Sequence, residues 1–510
     1  MTLLTEVALC CKALRNCIIK RNKMQLLRAE FALALLLAVF GCLEVHSKKF
    51  FYIYDWPEYI DDVWPPMDGP LHEKSAYNHD FRPNNGAGRM LNSEFGLFQT
   101  WQFSLYKNVM ARMRTSEYRT LDPAEASAFI IPFDLGVHSY IDHNNGLPRL
   151  ASPHGWMAQS LLKDSSKNKD LFWKNRGHDH FVFLGITAYQ MVGIGVKTFF
   201  MQICQNCTTI TIETSPTKTA IKGRTRKHWY AAPYPSSFHW HEDIKTLPWE
   251  KSATEDENNR NIVALFIGSL RTSQPNSNNL RRILHTQCEP ESDCKWFKTA
   301  HSCKGVLNAT DTMLLLRKSV FCPAPTGDSI TRKSIFDSLV AGCIPVLFSR
   351  ATISQYIWHL TEEEMDRVSV YIPMKAINED GANFIHILRN LTSNEIIEKQ
   401  EAIRSVASKL QYSIVPASAG NGSDGRSWKP PFKDAQEVII QKILDRDTIE
   451  PINGFSDEEL LRQHDEQNYI MDTHEDYAAL RRDKPGKKPQ RQNKKKLTEG
   501  KKGLSKMMET

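Results

Sequence analysis

The chain has 510 residues, enough for two domains of ordinary size plus tails, and its 41% apolar content excludes wholesale disorder. The formal charge of +7 is concentrated at one end: residues 481–510 carry twelve Lys/Arg against Asp483, Glu499 and Glu509, a net +9, which leaves about −2 on everything before them. A slightly acidic body has no electrostatic footprint for RNA or DNA, so nucleic-acid binding is excluded.

In chain order, Lys20, Arg21, Lys23 and Arg28 precede an apolar run over residues 31–43. So short a run suits the apolar core of a signal sequence, and extension through Leu26 and Leu27 makes it an anchor with its positive flank in the cytoplasm. Residues 1–48 therefore read as a targeting segment. It is either a type II signal anchor or a signal peptide cut after Val45-His-Ser47. Both place the rest of the chain in the secretory lumen. The sequons Asn206-Cys-Thr208, Asn308-Ala-Thr310, Asn390-Leu-Thr392 and Asn421-Gly-Ser423 agree with that compartment. Cys288, Cys294 and Cys303 lie in a polar region that reads as a disulfide-pinned loop, and their spacing is wrong for a zinc finger. Cys204 and Cys207 pair with each other or outward. With Cys322 and Cys343 the total is odd, so one thiol lacks an intrachain partner.

The lumenal part alternates strand and helix signals. Residues 50–54 read as a first strand, 57–90 as a loop rich in Pro, Gly and Asn, and 94–112 as a helix with Phe95, Phe98, Trp101, Phe103 and Tyr106 inward. Residues 122–127 read as a short capped helix and 128–133 as a strand. Further strands fall at 180–184, 209–213 and 262–268. The block 321–348 predicts a strand ending near Cys322, a Pro/Gly loop, a helix over 329–341 capped by Ser329 and stopped by Gly342, and a strand over 344–348. An amphipathic helix follows at 434–444, and residues 451–510 are too charged to bury anything. Strands spaced by helices predict α/β layering. The charged stretch 249–261 divides it into domains at 49–250 and 261–450, with 451–510 as a tail.

Several residues fit anion chemistry. A polar loop at a helix N-terminus, with Arg332 nearby, is where open α/β sheets hold phosphates. Gly268 ends a buried strand, and Arg271 beyond it can grip a diphosphate through its guanidinium fork. Arg281 is a second cation on the same stretch. Asp337 lies off the apolar stripe of its helix, where a carboxylate can accept ribose hydroxyls. Gly177-His-Asp-His-Phe181 sets His178 and His180 at strand alternation. A metal there lacks a third ligand at useful spacing.

The sequence resembles the exostosin-like glycosyltransferases, family 47 of the sugar-nucleotide-dependent enzymes. The strongest match is Phe321-Cys-Pro-Ala-Pro-Thr-Gly-Asp-Ser-Ile-Thr-Arg332, followed by Phe336-Asp337 and Gly342-Cys-Ile-Pro-Val346. Lys49-Phe-Tyr-Ile-Tyr-Asp-Trp-Pro57, Thr120-Leu-Asp-Pro-Ala-Glu-Ala-Ser-Ala-Phe-Ile-Ile-Pro-Phe133, Gly177-His-Asp-His-Phe181 and Phe266-Ile-Gly-Ser-Leu-Arg271 extend it over roughly residues 49–415. The resemblance implies a GT-B fold: two Rossmann-like domains facing across a cleft, with the donor nucleotide in the second and the acceptor against the first. It implies an inverting transferase that moves a sugar from a nucleotide donor, a UDP-sugar, to a glycan hydroxyl, requires no bound metal or other cofactor, and resides in the Golgi membrane as a type II protein. A lumenal form left by signal cleavage is the alternative, and a dimer is left open. On this sequence, Arg271 would meet the diphosphate, Gly327, Asp328, Ser329 and Arg332 the phosphates or sugar, and Asp337 the ribose; Arg281 is a further donor-binding candidate by its place in the chain. An inverting reaction needs a base near the acceptor, for which Asp134 and Asp179 are the candidates. Asp134 stands where family members often carry an aromatic residue. The donor expected is a neutral sugar, because the diphosphate already has a use for Arg332. The alternative function is a glycan-binding protein on a catalytically inactive transferase fold, keeping Trp56, Trp64 and Trp101.

Overall fold

The computed structural model describes residues 49–54, 83–134, 166–187, 204–214, 228–250, 260–297, 308–419 and 427–445. The targeting segment, the tail, Cys303, Asn421 and residues 251–259 of the expected domain boundary lie outside the described residues. The chain divides into two compact units, Met1–Phe50 and Phe51–Thr510.

Two separate parallel sheets form, each flanked by helices, and every residue of their strands except Phe50 belongs to the second unit. The first has the order β4-β1-β5-β6-β7-β8, from β1 (Phe50–Ile53), β4 (Arg119–Thr120), β5 (Ala126–Asp134), β6 (His180–Thr187), β7 (Thr208–Glu213) and β8 (Trp229–Ala231). The second has the order β10-β9-β11-β12-β13, from β9 (Ile262–Ile267), β10 (Cys294–Phe297), β11 (Ser319–Ala324), β12 (Ile344–Leu347) and β13 (Val370–Tyr371). Two Rossmann-like lobes result. Helices on both faces explain why the strands are continuous buried runs rather than alternating ones: every residue of β6, β7 and β12 is buried.

Helix α1 (Leu105–Arg114) packs on the first sheet. Helix α2 (Ser166–Lys174) precedes β6, and α3 (Pro275–Cys288), α4 (Ala309–Arg317) and α5 (Lys333–Val340) connect the strands of the second sheet. Helix α5 buries Ile335, Phe336, Leu339 and Val340, as its stripe requires. It ends at Gly342, whose φ of +70° lets the Gly342 and Cys343 N–H groups return to the carbonyls of Leu339 and Ser338. Three disulfides close: Cys204–Cys207, Cys288–Cys294 and Cys322–Cys343.

Three expectations need correction. The helix expected over 94–112 begins only at Leu105; before it, β2 (Met90–Asn92) and β3 (Leu97–Phe98) form a hairpin. The Asn92 side chain accepts from Phe95 N at 3.0 Å, and Gly96 takes a φ of +59°, so the turn wins over helical spacing. Residues 122–125 are a turn, not a helix, in which Asp122 accepts from Ala124 N at 2.9 Å. Helix α5 starts at Lys333, with Arg332 as its N-cap residue and no capping bond from Ser329. The last helix, Ala435–Leu444, expected with the second domain, packs both on the Ala407–Leu410 turn of that stretch and on α1, where Glu437 pairs with Arg112 at 3.2 Å.

Candidate functional site

The strand order of the second sheet locates a crevice. From β9 the chain moves one way to β10, and from β11 it moves the other way to β12, so the order reverses between β9 and β11. Ligands of open α/β sheets sit at such a reversal, beyond the C-terminal ends of the strands. The two loops that leave β9 and β11 flank it, residues 268–274 and 325–332.

Buried polar contacts tie these loops together. Arg281, on α3 and 6% exposed, donates from Nε to the Thr326 carbonyl at 2.9 Å, from Nη1 to that of Ser269 at 2.5 Å and from Nη2 to that of Pro325 at 3.1 Å. Burial lowers its pKa to about 9, with the charge of Arg332 acting in the same direction. Each guanidinium nitrogen is bonded to a backbone carbonyl, so Arg281 shapes the crevice. Asp328 accepts from Ser273 N at 2.6 Å, and the Ser277 and Thr326 hydroxyls lie 2.7 Å apart. Burial would raise the Asp328 carboxyl, but the Ser273 bonds and the nearby Arg332 and Arg281 charges hold it below its ordinary value. Arg271 is exposed on the first loop, which its own N–H stabilises by donating to Ser269 Oγ at 3.0 Å.

In the second loop Gly327 N donates to the Ser329 carbonyl at 3.0 Å, and the Arg332 guanidinium lies across Gly327. A Cβ at Gly327 would stand 1.9 Å from Arg332 Nη2, so any other residue there pushes the guanidinium out of this position. Asp337, one turn into α5, binds Lys333 Nζ at 2.8 and 2.9 Å and accepts from Ser237 N of the first lobe at 2.8 Å. Lys333 also donates to the Ser237 hydroxyl at 2.7 Å. A cavity of about 690 Å³ adjoins this helix face; Lys333, Asp337, Phe266 and Pro323 line it from the second lobe, and Arg89 and Thr100 from the first.

The structure thus brings Arg281, Gly327, Asp328, Ser329 and Arg332 together at the crevice, with Arg271 on its rim and Asp337 on the neighbouring cavity. The two base candidates part company. Asp134 closes β5 opposite Phe183, at the same C-terminal sheet edge as Glu213. Asp179 precedes β6 at the opposite edge and is buried, accepting from Asn175 and lying 2.7 Å from His180 Nδ1. His180 Nε2 in turn meets the Tyr54 hydroxyl at 2.6 Å, and Phe129 stacks on the imidazole. Burial opposes ionisation of Asp179, but the His180 and Asn175 bonds outweigh it and hold the carboxyl low. These groups close a core network. His178 is exposed in the preceding turn, so it shares no face with His180. Among the described residues no group of three or more His, Cys, Asp or Glu is placed to hold a metal ion.

One residue has no local signature in the sequence. Glu213, at the end of β7, reaches across to the 325–332 loop and accepts from Ser329 Oγ at 2.9 Å and Thr331 Oγ1 at 2.5 Å. A carboxylate closing an otherwise Thr/Ile strand was the only available hint.

The Exostosin GT47 domain matches residues 47–391. The chain belongs to that glycosyltransferase family. Its relatives include a probable xyloglucan galactosyltransferase, GT15, of Arabidopsis thaliana, 28% identical over 78% of this chain and 82% of that protein. The xyloglucan galactosyltransferase MUR3 of the same plant is 26% identical over 78% of this chain and 62% of its own length. A xyloglucan-specific galacturonosyltransferase is 28% identical over 77% of this chain and 56% of that protein.

Proposed function

We propose that this protein transfers a neutral hexose or pentose from a UDP-sugar to a hydroxyl of a polysaccharide, with inversion, across a cleft between its two Rossmann-like lobes. The observation that carries the reading is the crevice at the β9/β11 reversal, whose two loops are locked by Arg281 and present Arg271 and Arg332. Two cations and loop N–H groups are the means by which a leaving diphosphate's charge is met. The acceptor hydroxyl attacks the anomeric carbon as the bond to the diphosphate oxygen breaks; its proton passes to a carboxylate of the first lobe, and UDP leaves with the electron pair. Asp134 is the better-placed candidate for that carboxylate, since it stands at the sheet edge that Glu213 carries toward the donor loop.

Galactosyl and galacturonosyl transferases both occur among the relatives. A uronate donor wants a further cation, and Lys333 is already bound by both oxygens of Asp337, which favours a neutral sugar. The Golgi lumen, with type II anchoring through the N-terminal segment, is the site of action that family membership favours. Titration calorimetry with UDP, then turnover of a UDP-sugar panel, tests the assignment. Tight UDP binding with release of UDP from a neutral donor is the expected result. Absence of UDP binding would point to a glycan-binding protein on a transferase fold, and preferred turnover of a UDP-uronate would overturn the choice of sugar. Arg271→Ala is expected to lower kcat/KM by about 10²-fold, as loss of a donor to developing charge does. Unchanged kinetics would remove Arg271 from the mechanism.

A further inference from the structure

Glu213 belongs to the first lobe, is 3% exposed, and accepts hydrogen bonds from groups far away in sequence. Oε2 accepts from Ser329 Oγ at 2.9 Å, Thr331 Oγ1 at 2.5 Å, Thr331 N at 3.3 Å and Tyr234 Oη at 3.0 Å, and Oε1 accepts from Ile330 N at 3.3 Å. All but Tyr234 belong to the loop that leaves β11. Burial pushes the Glu213 carboxyl up from its ordinary value, against the Thr331 bond, the Arg332 charge and the Ser329 and Tyr234 bonds that pull it down.

The arrangement constrains one hydroxyl in particular. Ser329 has a single proton to give, and giving it to Glu213 turns its lone pairs toward Arg332, whose Nη1 lies 2.9 Å away. A second bond, from Arg332 Nη2 to the Ser329 carbonyl at 3.0 Å, fixes the plane of the guanidinium over Gly327. The order is carboxylate, hydroxyl, guanidinium, with the two formal charges at its ends and in different lobes.

We propose that Glu213 is a positioning residue for donor binding: acting through Ser329, it fixes the Arg332 guanidinium over Gly327, so that the first lobe completes the diphosphate site of the second. This rests on the reading of Arg332 as a diphosphate ligand. The physical reason is preorganisation. A guanidinium held in place before the diphosphate arrives loses little entropy on binding it, whereas one on an untethered loop must first be ordered. Glutamine at position 213 keeps the shape of the side chain but brings an amide N–H₂ among hydroxyl donors. With the amide oxygen kept toward Ser329, that N–H₂ faces the Ile330 N–H, donor to donor, and the neutral acceptor holds the 325–332 loop less firmly than a carboxylate does.

The test uses the full chain and the variants Glu213→Gln, Ser329→Ala and their combination, with UDP and the best UDP-sugar of the panel as probes. Glu213→Gln is expected to raise KM for the sugar nucleotide about tenfold and leave kcat within about threefold. A purely structural role would instead lower kcat, through loss of folded enzyme, at an unchanged KM. The double variant is expected to be no weaker than Ser329→Ala alone, because both substitutions break one relay. Amide hydrogen exchange without nucleotide supplies a second readout: residues 325–332 are expected to exchange about tenfold faster in Glu213→Gln, with the first sheet unaffected. Unchanged exchange together with unchanged KM would overturn the inference, as would effects of the two substitutions that multiply. If the parent protein binds no UDP while the variant still loosens 325–332, the donor reading fails and the hold of Glu213 on the loop stands.

Discussion

Lowering the pH from 7 to 5 is expected to remove about 4 kcal/mol of folding stability through two buried histidines, His239 and His359. His239 Nδ1 donates to the Tyr412 carbonyl at 2.6 Å, and its Nε2 lies 2.9 Å from the Thr100 hydroxyl. His359 Nε2 donates to the Ala435 carbonyl at 3.2 Å, and its buried Nδ1 meets no partner among the described residues. Burial is the main cause that lowers the two pKa values, to about 4 for His239 and about 3 for His359. The charge of Lys333 adds to the first effect and those of Lys409, Lys433 and Lys442 to the second, while the carbonyl bonds oppose both. Each folded value lies below the unfolded value of about 6.5. The stability from neutral imidazole is therefore complete above about pH 6.5, and falls by about 1.4 kcal/mol per pH unit and group as the unfolded chain takes up protons the native state refuses. Asp434, pushed up to about 6 by burial, acts in the opposite sense and returns about 1.4 kcal/mol by pH 5. Glu213, also raised by burial, has the same sign as Asp434.

Urea unfolding at pH 7, 6 and 5 separates these contributions. Glutamine places an N–H near Nε2 and asparagine one near Nδ1, so His359→Gln and His239→Asn keep the native carbonyl bonds without the titration. Each variant is expected to lose about 2 kcal/mol less than the parent between pH 7 and 5. A variant whose stability runs parallel to the parent's over that range would show that its histidine does not titrate as described.

These histidines have no sequence signature, and the contrast with what was legible is physical. Strands β6, β7, β9 and β12 are buried on both faces, so each reads as an apolar or β-branched run whatever surrounds it. The stop of α5 was legible because a positive φ at Gly342 is a local requirement. The hairpin before α1 was not, because Phe95, Phe98 and Trp101 recur at helical spacing while the decision lies with Asn92 and Gly96. Strands of two residues, such as β4 and β13, hold no period to detect. At the site, a small polar loop before a helix announced Gly327, Asp328, Ser329 and Arg332. The use of Ser329 was misread, since capping is a local option and the Glu213 carboxylate reaches it only after the two lobes have come together.

Arg281→Ala is expected to be the most damaging single change in the second lobe, costing about 3–5 kcal/mol of stability and the UDP site with it. The substitution strands three carbonyls at once, those of Ser269, Pro325 and Thr326, two of which the guanidinium bonds inside the protein. It also empties the space under Phe266, whose ring carries the guanidinium 5.4 Å from its centroid. Burial, with the charge of Arg332 beside it and against that of Asp328, lowers the pKa to about 9, so the charge is held at a penalty that its carbonyl bonds offset. Lysine does not substitute for it. A single ammonium on a flexible stem cannot span carbonyls of two loops in the fixed geometry of a planar fork, so Arg281→Lys should keep part of the stability and little of the loop alignment. Thermal unfolding and UDP calorimetry on the same preparations read the two effects separately. The expected order of stability is parent, then Lys, then Ala. UDP affinity should fall at least tenfold in Lys even where its melting temperature is near the parent's. Parent-like UDP affinity in Arg281→Lys would mean that the two loops are held by Asp328 and the Ser277–Thr326 pair without the arginine, and that Arg281 is only a buried structural cation.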